Sequence, residues 1–374
     1  MQTLTWQQVH AWRLAQHGLT PRLKRADFMK IVTRTGGIQA QVMSAAELAL
    51  FTRVEGLSPQ DVRSALWQDR TLIKTWAMRG TLHLLSASEL PLYAAARHWQ
   101  NHTYNWSHVF AYYGLTPAQQ EAFLAAIPHV LEQGPMTRQQ LADAVAKHTG
   151  MAQTRDWISA ANWGGPLKPS AFRGDLCFGP SQGQNVTFAN PRTWVGNWPS
   201  IQPEQALRKI VRLYLQAYGP ATATNFAHWW GERITLAKKL FKLMEDELEE
   251  VEVEGWRGFA LRDTLEPMQS LETSETIRFL PLFDAYTLGL GRGIEALLSQ
   301  TYKNLVFRPQ GWVSAVILVN GSMQGVWQHT VRRSQTLVNV RLFSPPTPLI
   351  RKGIDVEVER LNDFFEKKVS LAYL

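Results

Sequence analysis

The chain has 374 residues, 45% of them hydrophobic, a formal net charge of +8 and a pI near 9.6. That length holds about two to four domains with a well-buried core, and the basic balance points to an anionic partner, of which nucleic acid is the commonest soluble kind. The single cysteine, Cys177, excludes an intramolecular disulfide and a multi-cysteine metal site, while apolar runs such as Ala315 to Val319 fall far short of the roughly 20 residues that span a bilayer.

The start, Met1 to Gln8, lacks a basic stretch followed by an apolar one, so no secretory signal is expected and a reducing compartment fits. Helices are predicted near 26–35, 44–55 and 59–68, the last opened by Ser58-Pro59, followed by strands near 72–86. Capping boxes at Thr116-Pro117-Ala118-Gln119 and Thr137-Arg138-Gln139-Gln140 start two further helices. A weak repeat follows: Gly134-Pro135-Met136-Thr137 precedes Leu141-Ala142, as Gly219-Pro220-Ala221-Thr222 precedes Phe226-Ala227. Before the second copy, Leu207, Ile210, Val211 and Tyr214 lie on one helical face. After each Gly-Pro the pattern predicts a short helix, a longer helix and a hairpin. The hairpins are 176–188 in the first copy and 251–259 in the second, whose long helix is predicted over 234–249.

Helix, helix, helix, hairpin is the winged-helix order. The expected fold class is α+β, with tandem winged-helix units at 1–95, 96–200 and 201–268. A β-rich region at 269–374 follows, with hairpin strands around Asn320-Gly321-Ser322 and a closing helix near 354–367.

Tandem winged helices with basic residues point to double-stranded DNA, although some such domains mediate only protein contacts. The expected third recognition helix carries Lys238, Lys239 and Lys242, then Glu245-Asp246-Glu247 and Glu249-Glu250, which would repel phosphate. No hydrolase elbow, phosphate-binding Gly-rich loop or His-Glu-x-x-His motif is present. His98, His102 and His108 share an aromatic-rich stretch, but no cysteine or carboxylate accompanies them at ligand spacing, so no metal and no cofactor are expected. Most of the 15 tryptophans are read as packing residues.

Four segments carry more specific information: Gly37-Ile38-Gln39-Ala40-Gln41, Trp76-Ala77-Met78-Arg79-Gly80-Thr81-Leu82-His83, Tyr218-Gly219-Pro220-Ala221-Thr222, and Phe279-Leu280-Pro281-Leu282-Phe283-Asp284-Ala285-Tyr286 running to Gly289. Alone, Gln39 and Gln41 read equally as solvated polar residues at a helix entry. In this order the four segments resemble the AlkZ/YcaQ family of winged-helix DNA glycosylases, and the resemblance covers essentially the whole chain. It implies a bacterial protein, cytoplasmic and nucleoid-associated when bound, with a C-shaped, DNA-embracing arrangement. It implies excision of N7-alkylated guanines and unhooking of interstrand crosslinks. The catalytic motif of one branch ends in aspartate; Gln39-Ala40-Gln41 resembles the AlkZ-like branch, which is associated with self-resistance to DNA-alkylating natural products such as azinomycin.

Glutamines suffice for such a substrate on chemical grounds. An N7-alkylguanine is already cationic, so its departure needs no strong general acid. An amide can orient a water through its carbonyl and donate through its NH₂. Gln39 and Gln41 are therefore the expected catalytic pair. Arg79 and His83 are candidates for holding phosphate or ordering the site, against the alternative of a hydrogen-bonded wing packed on its domain. Lys238 and Lys239 are candidate DNA contacts, as are Asn320 and Ser322 at a hairpin tip that would probe a groove. Asp284 reads as a buried structural carboxylate. A monomer is expected. The competing reading is a non-catalytic winged-helix transcription regulator or damage sensor, for which a dimer on a palindromic site would be expected.

Overall fold

The computed structural model describes residues 2–98, 107–159, 164–272, 274–290 and 293–374, with the backbone alone at 107–109. His102 and the side chain of His108 lie outside the described residues. Contacts group the chain into two compact units, residues 1–61 with 211–374, and residues 62–210. This grouping differs from four consecutive segments, because the chain leaves the first unit within the helix Pro59–Trp67 and returns within the helix Pro203–Tyr218.

The first unit contains a complete winged helix. The second half of Pro203–Tyr218 leads into the helix Ala223–Trp230, which Thr222 and Asn225 cap reciprocally and which Gly231 ends in the left-handed conformation. The recognition helix is Ile234–Leu243 and the wing is the antiparallel pair Leu248–Val253 and Trp256–Leu261. An unpredicted N-terminal strand, Gln2–Leu4, extends this wing in parallel with Leu248–Val253. The helix behind it, Trp6–Gln16, buries Val9 and Trp12 against Val251, Val253 and Ala260. The N-terminal residues thus belong with the third expected winged helix: their apolar face completes a wing too small to bury its own.

The C-terminal part of this unit is a five-stranded sheet in the order Ile277–Leu280, Ala315–Val319, Ser322–Val331, Gln335–Leu342, Lys368–Tyr373. The first four strands are antiparallel, and the unpredicted last strand joins in parallel. The helix before it, Pro348–Phe365, starts six residues earlier than 354 because Thr347 caps it with Pro348 at the first position. That helix and the helix Met43–Arg53 cover the sheet, with Leu48 and Phe51 packed among Phe279, Ile317, Trp327, Val338, Ile354 and Val358.

In the second unit, the helix Pro117–Val130 and the helix Arg138–Thr149 start at the two predicted capping boxes. The repeat departs from expectation here. After Gly134-Pro135 the 12-residue helix comes first and the 6-residue helix Thr154–Ser159 second, the reverse of the other copy. The wing pairs Cys177–Gln182 with Asn185–Ala189, and Met136–Thr137 adds to its edge. The hairpin Leu72–Trp76/Leu82–Ser86 packs on this core: Thr75 donates to the Leu176 carbonyl (3.2 Å), and Trp76 meets Phe178 at 4.9 Å between ring centres. No helix among the described residues is long and apolar enough to cross a membrane.

Candidate active site and DNA-contacting residues

The glutamine segment begins where the helix Phe28–Arg34 is stopped by two glycines, Gly36 (φ +71°) and Gly37 (φ +101°). Gly37 donates back to the Val32 carbonyl at 2.8 Å. The chain then runs extended through Ile38 and Gln39, and re-enters a helix at Met43. Gln39 is buried, Ala40 is fully buried and Gln41 is exposed. One side chain is thus held inside the unit while the other meets solvent.

The segment is anchored from both ends by motifs far away in sequence. On the N-terminal side the Tyr218 hydroxyl donates to the Thr35 carbonyl (2.8 Å), and the Cβ that Gly36 lacks would lie 2.7 Å from the Trp229 ring and 2.8 Å from Leu213. Tyr218 is in turn stacked on Tyr214, whose hydroxyl donates to the Gly289 carbonyl at 3.1 Å. Gly289 is obligatory there, since a Cβ would sit 1.9 Å from the Tyr218 ring. Arg13, fully buried, gathers the carbonyls of Tyr218, Gly219 and Pro220 at 3.1, 3.3 and 2.9 Å. Burial lowers its pKa to about 10, so it stays charged at neutral pH. His17 lies edge-on to Tyr218 and Tyr286 and is kept neutral, chiefly by burial and then by the charges of Arg53 and Arg13.

On the C-terminal side, the helix that follows the glutamines ends in Arg53. Its guanidinium meets both oxygens of Asp284 (2.8 and 2.7 Å) with neither side chain exposed. Asp284 also accepts from the Tyr286 amide, capping the helix Ala285–Gly289. Asp284 is therefore a buried structural carboxylate, as expected. Three of the four sequence motifs meet around one segment. Sequence reasoning missed Arg13, His17 and Arg53; the only available signal was a charged residue inside an otherwise buried apolar run.

In the second unit, Arg79 and Gly80 take φ values of +57° and +67° in the turn between the two strands. His83 donates from Nδ1 to the Thr81 carbonyl (3.0 Å), which leaves Nε2 to accept from the Arg79 guanidinium at 3.5 Å. Burial foremost, then Arg79, lowers the His83 pKa to about 3. His83 is buried and neutral, so it orders Arg79 and is not itself a phosphate contact.

The recognition helix stops at Leu243, so the acidic tract is not on it. Arg212 pairs with Glu247 and Asp263 (2.5 Å each), and Arg262 pairs with Glu249. Lys238, Lys239 and Lys242 remain exposed on a helix without acidic residues, which corrects the expectation of a repulsive reading face. The Asn320 and Ser322 expectation also changes. Asn320 exchanges hydrogen bonds with Thr276 (2.8 Å each), Ser322 donates to the Ala296 carbonyl (2.7 Å), and Gly321 is packed on His10. Asn320 nevertheless stays exposed, and Ser322 is half-buried. A groove of about 990 Å³ beside this turn is lined by Glu254, Glu272 and Glu275 but by neither Gln39 nor Gln41, and its carboxylates would repel a phosphate.

A family model described as "DNA glycosylase AlkZ-like" matches residues 32–364. The chain belongs to the AlkZ-like family of DNA glycosylases. An interstrand DNA cross-link repair glycosylase of Streptomyces sahachiroi is 35% identical over 333 residues, 87% of this chain and 88% of that one. The solved structure of the Streptomyces sahachiroi DNA glycosylase AlkZ superposes with a TM-score of 0.86 at 31% identity, covering 100% of both chains. The tandem winged-helix fold and the glycosylase activity on DNA follow from this membership, and a non-catalytic regulator is not favoured.

Proposed function

We propose that the protein is a monofunctional glycosylase for cationic N7-alkylguanine, including interstrand crosslinks, with Gln39 and Gln41 as its catalytic pair. It acts as a monomer on double-stranded DNA in the bacterial cytoplasm, and protects its host against a DNA-alkylating natural product. The observation that carries the site assignment is the two-ended anchoring of the 36–41 segment, with Gln39 buried and Gln41 open. The crosslink substrate is supported by the printed function of the Streptomyces relative.

The N9–C1′ bond breaks with its electron pair going to the base, which leaves as neutral N7-alkylguanine. A water oriented by the glutamine amides adds to C1′ and releases its proton to solvent, leaving an abasic site. A neutral amide stabilises the sugar cation less than a carboxylate, so the enzyme depends on a leaving group that is already charged. Arg79, Lys238 and Lys239 contact the DNA backbone and the exposed Asn320 meets the duplex at the hairpin turn, while His83 and Ser322 act through the fold.

The test is excision from duplexes carrying N7-methylguanine, a nitrogen-mustard crosslink or uracil. Gln39→Ala and Gln41→Ala are expected to bind DNA but to excise roughly ten- to a thousandfold more slowly. Wild-type rates in both variants would remove the pair from the mechanism. Uracil excision matching that of N7-methylguanine would remove the charge requirement.

A further inference from the structure

We propose that Arg13 is a positioning residue for excision: by holding the backbone of 218–220 it places the Tyr218 hydroxyl on Thr35, and through that bond the segment that carries Gln39 and Gln41. This rests on the reading of Gln39 and Gln41 as the catalytic pair. Arg13 lies outside the four sequence motifs, on the helix Trp6–Gln16, and is as buried as its neighbours Trp12 and Leu14. A guanidinium in that place needs partners that replace water. Among the described residues no carboxylate pairs with it. Its partners are three successive carbonyls, with Nε shared between Tyr218 (3.1 Å) and Gly219 (3.3 Å) and Nη2 on Pro220 (2.9 Å). The Trp6 ring adds a face 5.9 Å away.

Because Arg13 stays charged at neutral pH, these bonds are charge-assisted, about twice as strong as neutral ones. The planar fork spans neighbouring carbonyls, which a lysine ammonium on its flexible stem does not. The Tyr218-Gly219-Pro220 motif is thus read through its backbone. That backbone has little room to shift, since a Cβ on Gly219 would lie 2.2 Å from the Leu215 carbonyl oxygen. The Tyr218 ring is held as well, stacked on Tyr214 at 5.2 Å and edge-on to His17 at 4.8 Å. With backbone and ring both fixed, the hydroxyl has one position, and it meets the Thr35 carbonyl at 2.8 Å. Directly after Thr35 the chain leaves its helix through Gly36 and Gly37, whose amides donate to the Thr33 and Val32 carbonyls at 3.2 and 2.8 Å. Buried as it is, Arg13 touches no substrate, and a change there acts on the glutamine segment through Tyr218.

The experiment compares the wild type with Arg13→Met, Arg13→Lys, Tyr218→Phe, the double variant Arg13→Met/Tyr218→Phe, and Val338→Ala, a core truncation in the C-terminal sheet of the same unit. Single-turnover excision of N7-methylguanine per folded molecule, duplex affinity and amide hydrogen exchange are measured on each. Arg13→Met should excise roughly three- to thirtyfold more slowly, with duplex affinity within about twofold of the wild type. Its amides in the segment 35–41 should exchange roughly tenfold faster. Arg13→Lys should recover part of the rate, and carries the same comparison if Arg13→Met does not fold. The double variant should be no slower than the slower single variant, because both changes act through one hydrogen bond. Val338→Ala should lose stability yet keep the wild-type rate and the wild-type exchange at 35–41, which separates positioning from general destabilisation. A wild-type excision rate in folded Arg13→Met, losses that multiply in the double variant, or unchanged exchange at 35–41 overturns the proposal. Exchange needs no catalysis, so absent excision by the wild type overturns the glycosylase reading alone, and wild-type rates in Gln39→Ala and Gln41→Ala overturn the glutamine pair alone.

Discussion

The Tyr218 hydroxyl reaches the carbonyl of Thr35 at 2.8 Å, across 183 residues of sequence, and fixes the turn that delivers Gln39. Both residues are buried, and the bond joins one of the four motifs that distinguish this chain to the turn just before another. Removing it isolates positioning from chemistry. Tyr218→Phe leaves a buried carbonyl unsatisfied, a cost of about 1–3 kcal/mol. It is expected to remain folded, to bind duplex DNA as the wild type does, and to excise several-fold more slowly at saturating substrate. Single-turnover rates beside anisotropy titrations check this, and an unchanged rate would show that the turn needs no such tether.

Gly289→Ala attacks the same contact from the other side. The added methyl would lie 1.9 Å from a Tyr218 ring that Tyr214 and Thr35 already hold in place. Overpacking of this kind costs about 1–3 kcal/mol. Urea unfolding should show that loss, together with slower excision. Wild-type stability would mean the ring can move aside.

Asp284→Ala should be the most damaging of these substitutions. It strands the Arg53 guanidinium, buried with no exposed surface, at the end of the helix that follows the glutamines. Breaking one side of a buried pair costs about 3–5 kcal/mol. Replacing both residues with leucine should cost less than Asp284→Ala alone, because no unpaired charge remains. Urea midpoints of the single and double variants decide it.

Stability should fall on mild acidification. His10 and His83 have pKa values lowered to about 3, and that of His17 is well below normal, in each case chiefly by burial. Unfolded histidine titrates near 6.5, so below that pH the unfolded chain gains protons that the folded chain refuses. The stabilisation is complete above pH 6.5 and is lost progressively as pH falls towards 3. By pH 5 the loss is about 2 kcal/mol for each of His10 and His83. Unfolding curves at pH 7.5 and pH 5 measure it, and equal midpoints would show these imidazoles to be solvated.

What the sequence determined by itself is local. The threonine capping boxes at 116, 137 and 222 start helices because hydroxyl and amide lie within a few bonds of the backbone groups they satisfy. The Asn320-Gly321 turn closes a hairpin because both residues accept positive φ (+50° and +87°).

Tertiary structure decided everything that depends on which distant groups meet. It placed the strands 72–86 on the second unit's core, set an N-terminal strand beside the third wing, and ended the recognition helix before its acidic tract. It bonded Asn320 to Thr276 and Ser322 to Ala296, and joined Arg53 to Asp284 across 231 residues. None of these is encoded in a local propensity. Each is settled by burial, which makes an unpaired charge or carbonyl costly enough to select its partner from anywhere in the chain.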